Sequence, residues 1–155
     1  MSKETQDLIL QQPGHELAVL ELTVTPELNQ QFLYAMEDFH PRYLEANGNE
    51  QPIVHPSLLL LMSIPSKSPS FHLPPGWALI HAGDETEFMQ PARVGSTLAI
   101  SWKVAKVWEK RGKAYSEVDT RIVDENGADI LRRKVIITYT IHRSTPEEEG
   151  GQQAQ

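Results

Sequence analysis

The chain has 155 residues, a formal net charge of −7 and no cysteine. The length suits one domain with its own core, and the missing cysteines exclude disulfides, thiolate catalysis and cysteine-ligated zinc. The acidic balance argues against nucleic acid as a partner. No apolar run is long enough to span a bilayer and no basic-plus-apolar leader is visible, so the expectation is a soluble, cytoplasmic protein without membrane contact.

Residues 1–14 show no sustained period and end in Pro13-Gly14, which reads as a flexible N-terminus. Residues 144–155 are rich in Pro, Glu, Gly and Gln and read as a disordered acidic tail. The domain is expected over 15–143, with no internal repeat. Glu16 to Val24 alternates, with Ala18, Leu20, Leu22 and Val24 on one face of a strand. Thr25-Pro26-Glu27 is a helix start: a hydroxyl cap, a proline suited to the first turn, and an acid at the positive end. Leu28, Phe32 and Ala35 follow at helical spacing, with Met36 and Phe39 extending the face. The helix is expected to run into Asp38-Phe39-His40 and stop before Pro41, because a residue preceding proline is pushed out of the helical region.

Residues 44–76 are proline-rich and irregular, except for Ser57 to Ser63, "SLLLLMS", which reads as a short buried helix after Pro56. Thr86 to Met89 reads as a strand that starts near His81. Three alternating sets follow: Leu98, Ile100, Trp102 and Val104; then Ala114, Ser116, Val118, Thr120 and Ile122; then Val135, Ile137, Tyr139 and Ile141. Turn signals at Arg111-Gly112 and Asn126-Gly127 separate them. Strand, helix, then antiparallel meander predicts an α+β fold in which a long helix is wrapped by one curved sheet. This is also the order of a hot-dog fold. Such a sheet leaves an open edge and an apolar face near Trp102 and Trp108, which pairing into a dimer would cover.

Three segments resemble the MaoC-like hot-dog family of enoyl-thioester hydratases and 3-hydroxyacyl-thioester dehydratases. Asp38-Phe39-His40-Pro41-Arg42-Tyr43 corresponds to that family's Asp-x-Asn-Pro-x-His motif. Ile53-Val54-His55-Pro56-Ser57-Leu58 corresponds to its His-Gly entry to a buried helix, and Pro91-Ala92-Arg93-Val94-Gly95-Ser96 to its lead into the long strands. The resemblance implies an acyl thioester such as acyl-CoA as ligand, no cofactor, and a homodimer or a heterodimer with a catalytic hot-dog subunit. In the family, an Asp and a His hold the reacting water and a glycine N–H polarises the thioester carbonyl. Here Asp38 keeps its place, Tyr43 stands where the His belongs, and Pro56, which has no N–H, stands where the Gly belongs. Tyrosine, with an ordinary pKa of about 10, is a poor proton shuttle at neutral pH.

Asp38, His40 and Tyr43 are therefore the candidate catalytic set, in degenerate form. The resemblance places His55, Pro56, Ser57, Arg93, Val94 and Gly95 near a ligand. His81 and Gly83 join them because "LIHAGDETEF" resembles the non-catalytic half of two-part family members. The expected function is an acyl-binding hydratase/dehydratase component. The alternative is a self-sufficient hydratase or thioesterase that uses Asp38 with His40 or His81. His40 reads equally as an exposed turn residue and His55 as a satisfied, half-buried one. Six histidines without ligand spacing predict no metal. An apolar slot is expected between Leu58–Met62 and Leu28, Phe32 and Met36, with Arg93, Lys103, Arg132 and Arg133 near the phosphates of CoA.

Overall fold

The computed structural model describes residues 2–142. The expected tail at 144–155 lies outside them. Five antiparallel strands form one sheet in the order β1-β3-β4-β5-β2. They are β1 (Leu20–Thr23), β2 (Trp77–Phe88), β3 (Thr97–Lys110), β4 (Lys113–Val123) and β5 (Asp129–Ile141). Helices α1 (Lys3–Gln6), α2 (Pro26–Met36), α3 (Pro41–Leu44) and α4 (Pro56–Met62) complete the described residues, with two short 3₁₀ turns. This is the predicted α+β arrangement.

One face of the sheet is the core. Leu98, Ile100, Trp102 and Val104 of β3 and all five alternating residues of β4 are buried there, as the two-residue period requires. Trp102 is 1% exposed and donates its indole N–H to the Ser63 carbonyl at 2.8 Å. It is core, not the open dimer face expected for it. Trp108 shares its parity but not its environment. A bulge between Val104 and Lys106 reverses the phase, so Val107 turns inward opposite Ser116. Trp108 then stacks on Tyr115 on the outer face, at an interplanar angle of 7°.

The N-terminal boundary is also corrected. Residues 2–14 are not loose: Leu8 and Leu10 are fully buried, and Gln11 donates to the Ser116 hydroxyl at 2.7 Å. A single hydrophobic residue every second position over three residues is too short a pattern to separate from noise in the sequence. The first strand is shorter than expected; Leu17 rather than Ala18 points inward, and Glu16 makes only a bridge to Lys103.

Helix α2 begins as predicted, with the Thr25 hydroxyl accepting the Leu28 N–H at 3.1 Å. It ends at Met36, short of the motif. Glu37 adopts a left-handed conformation (φ 53°) and closes the helix. The buried residues of α2 are Asn29 and Leu33; Leu28 and Phe32 are half-buried, and Ala35, Met36 and Phe39 are exposed. Helix α4 is where the sequence places it, although Leu61 faces solvent.

Arg133 of β5 joins the sheet to α4. It is buried, donates to the Leu60 carbonyl at 2.8 Å and the Ser63 hydroxyl at 2.7 Å, and grips Asp84 of β2 through Nε and Nη2. Removing one partner of a buried ion pair strands the other. Asp84→Ala is therefore expected to lower stability by about 3 kcal/mol, and chemical denaturation checks it. A loss indistinguishable from that of an exposed surface substitution would refute this role.

Candidate functional site

The turn after α2 and the start of α4 meet at a carboxylate–imidazole pair. Asp38 Oδ2 lies 3.0 Å from His55 Nε2. The other imidazole nitrogen is used as well: His55 caps α4, its Nδ1 accepting the Ser57 N–H at 3.1 Å. An imidazole that accepts at Nδ1 carries its proton on Nε2, so His55 donates to Asp38. Both ring nitrogens are committed. Asp38 Oδ1 accepts the His40 N–H at 3.2 Å. That backbone bond, then the His55 hydrogen bond, holds the Asp38 carboxyl below its ordinary value.

His40 is an exposed cap of α3, its Nδ1 accepting the Arg42 N–H at 3.2 Å. Its basic nitrogen is thus occupied too. Tyr43 lies over the imidazole of His55, ring centroids 4.7 Å apart, and its carbonyl accepts from Asn29. The pairing of Asp38 with His40 or His81 expected from the sequence is not the one formed. The partner is His55, seventeen residues away and joined through the fold.

The start of α4 offers little to an oxyanion. Pro56 has no N–H. The Ser57 N–H goes to His55 Nδ1 and the Leu58 N–H to the His55 carbonyl at 3.0 Å.

His81 belongs to a second cluster. Two residues separate it from Asp84, which in a regular strand would put them on opposite faces. A bulge between His81 and Gly83 brings them together, with His81 Nε2 3.2 Å from Asp84 Oδ2. Burial raises the Asp84 pKa, but hydrogen bonds from Arg133 and Thr86 outweigh it, and the net shift is downward. The His81–Asp84 approach is an ion-pair distance; the hydrogen bonds to Asp84 Oδ2 come from Arg133. Gly83 lies flat on Ile136, where an added Cβ would come within 3.4 Å.

Arg93, Val94 and Gly95 run beside the segment that leads into α4. The Val54 N–H donates to Ala92 O and the Val94 N–H to Pro52 O, while Arg93 reaches Gln51 O and Glu50. Gly95 has φ 93°, a conformation that favours glycine. Lys103, Arg132 and Arg133 border a groove of about 850 Å³ that also holds Arg121 and Lys134 and, against them, Glu16, Glu85, Glu87 and Asp119. Each of the first three bases already has a carboxylate: Glu16, Asp129 and Asp84 respectively. A smaller cleft of about 340 Å³ lies where Tyr43 and Pro56 meet Phe88 and Met89. No contiguous sequence signal pointed to it, since its walls come from three separate segments.

A carboxyl held below its ordinary value of 3.8 stabilises the fold above that value, and the contribution is lost as pH falls through the folded value. Wild type is expected to exceed Asp38→Asn in stability by a constant margin above about pH 4, a margin that closes in acid. Urea denaturation across a pH series measures it, and a margin that persists in acid contradicts the assignment.

Among the described residues no helix is long and apolar enough to cross a membrane. No curated protein matches the sequence. Solved structures share the fold. The R-hydratase PhaJ1 from Pseudomonas aeruginosa is 17% identical, with a TM-score of 0.65, covering 90% of this chain and 93% of that one. The monoamine oxidase regulatory protein from Archaeoglobus reaches a TM-score of 0.70 at 18% identity, covering 88% and 95%. The ChsH1-ChsH2 complex from Mycobacterium tuberculosis gives 0.65 at 16%, covering 82% and 97%. The fold is the hot-dog, and its neighbours include MaoC-like dehydratases. Residues 11–133 match the family model described as "FAS1-like, dehydratase domain region". The chain is thus a member of the FAS1-like dehydratase domain family, with a MaoC-like hot-dog fold.

Proposed function

We propose that this chain is the acyl-binding component of a two-part thioester hydratase or dehydratase and does not turn substrate over alone. The observation that carries this reading is the closure of the α4 start. Pro56 removes one N–H, His55 consumes the next two through Nδ1 and its carbonyl, and both nitrogens of His55 are engaged. A developing oxyanion finds no donor there and a reacting water finds no free imidazole. Tyr43 in place of the family histidine fits the same loss.

Catalysis is then supplied by a second hot-dog chain. The twelve-residue strand β2 lies at the sheet edge, with Ile80 and Phe88 exposed. A long, partly apolar edge is a template for pairing. Solved neighbours include complexes, ChsH1-ChsH2 and HadBC, which supports an assembly of two chains. Sedimentation is expected to give a dimer at micromolar concentration, either of this chain or with its partner.

The second reading, a self-sufficient enzyme, rests on His81. Its Nε2 lies 3.2 Å from Asp84 Oδ2 and its side chain is 46% exposed, an imidazole beside a carboxylate that a substrate could reach. Assay of the purified protein with crotonyl-CoA and longer enoyl-CoAs separates the two. Little or no hydration is expected. Tyr43→His alone should not restore it; adding Pro56→Gly should do better, because an oxyanion donor is worth about a hundred- to thousand-fold in rate. Strong wild-type turnover that disappears in Asp38→Asn or His81→Ala would sink the first reading.

A further inference from the structure

The geometry points to the cleft beside α4 as a seat for a short acyl group, with Tyr43 donating to its carbonyl oxygen and Arg42 meeting negative charge at the mouth. The inference rests on the acyl-binding reading above and names where, and how long, the acyl group is. The cleft of about 340 Å³ is lined by Tyr43, Pro56, Leu59, Phe88 and Met89, with Arg42 beside them. Its walls are mostly apolar, and the polar side chains that line it are Arg42, Tyr43 and Gln90. Among the described residues the Tyr43 hydroxyl has no hydrogen-bond partner and the Arg42 guanidinium no carboxylate, while the Arg42 backbone N–H and carbonyl are engaged with His40 and Ile53.

The location differs from the slot the sequence implied. Of the expected walls, Leu59 of α4 lines the cleft, while Leu28, Phe32 and Met36 of α2 do not; Met36 is 45% exposed and Leu58 is buried in the core. Phe88 and Met89 replace them, exposed at 47% and 42% at the end of β2. Large apolar side chains left open beside a cleft are what a ligand or a partner would cover. The volume sits at the low end of small-molecule sites, which run from about 300 to 1,000 Å³, and so limits the chain to a short one.

The position of Tyr43 gives the departure from the family pattern a purpose. A phenol cannot shuttle a proton at neutral pH, but it donates a hydrogen bond well. With the N–H at residue 56 absent, the Tyr43 hydroxyl and the Gln90 amide are the neutral side-chain donors that line the cleft. The shared chemistry is a short acyl chain with a carbonyl oxygen, supplied by a thioester or by a free carboxylic acid.

Calorimetry of the full chain decides it, using acetyl-, butyryl-, hexanoyl- and dodecanoyl-CoA, CoA alone, and free butyrate and hexanoate. Affinity is expected to rise to a short chain length and fall at dodecanoyl. Tyr43→Phe, which keeps the ring on His55, should weaken the best ligand by about five- to tenfold. Met89→Trp, an exposed position at the mouth, should lower the preferred length. Arg42→Ala should weaken whichever of the CoA thioester or the free acid is the true source. Thermal melts confirm that each variant is folded. Acyl-CoA binding unchanged by both Tyr43→Phe and Met89→Trp overturns the cleft and leaves the acyl-binding reading intact. Binding of CoA alone with equal affinity overturns the acyl seat. Failure of every acyl-CoA and acid to bind overturns this inference and the acyl-binding reading together.

Discussion

The guanidinium of Arg133 is buried in the middle of the structure, and its position fixes three elements at once. It rises from β5, holds edge strand β2 through Asp84, and receives the C-terminal end of α4 through Leu60 and Ser63. A buried charge is costly unless every donor finds an acceptor. The elements that satisfy it therefore cannot drift independently. Trp102 adds a further bond to Ser63 from β3. The seven-residue helix α4, too short to hold itself by backbone bonds alone, is anchored to the sheet at this junction.

The other end of α4 is fixed by His55, and the two anchors together determine what the site offers. With Ser63 pinned to the sheet and His55 pinned to Asp38, the first turn of α4 is turned toward α3 and the end of β2. Its polar groups are spent on that attachment. The usual use of a helix start, open N–H groups facing a ligand, is not available here. What remains accessible is the apolar flank of α4 with Tyr43 above it. The same contacts that stabilise the helix occupy both nitrogens of His55 and the first N–H groups of α4.

Bulges decide two further features. In β3, one extra residue moves Trp108 out of the core and stacks it on Tyr115. In β2, another brings His81 and Asp84 to one face, next to Arg133. Both change which side chains meet without changing the overall order of strands. They also bend the strands on which they occur, which helps a single sheet curl around its short helices.

Much of this architecture was readable from residue order. Two-residue alternation in β4 buries all five residues it marks, because a half-buried strand has no other way to hide them. Thr25-Pro26-Glu27 fixed where α2 starts, and Pro56 where α4 starts, since capping and proline act locally. The motif Asp38 to Tyr43 marks the turn after α2, which the fold brings against the start of α4. The tertiary structure alone decided the rest. The partner of Asp38 is His55, a contact with no spacing rule because the intervening chain is irregular. The early stop of α2 depends on a left-handed Glu37, a conformation that no proline or glycine announces. The burial of Leu8 and Leu10 needs a sheet to pack against, and the bulges are single-residue shifts in pairing. Local signals govern local conformation; which side chains share a site is set by long-range pairing, and that is written only in the folded chain.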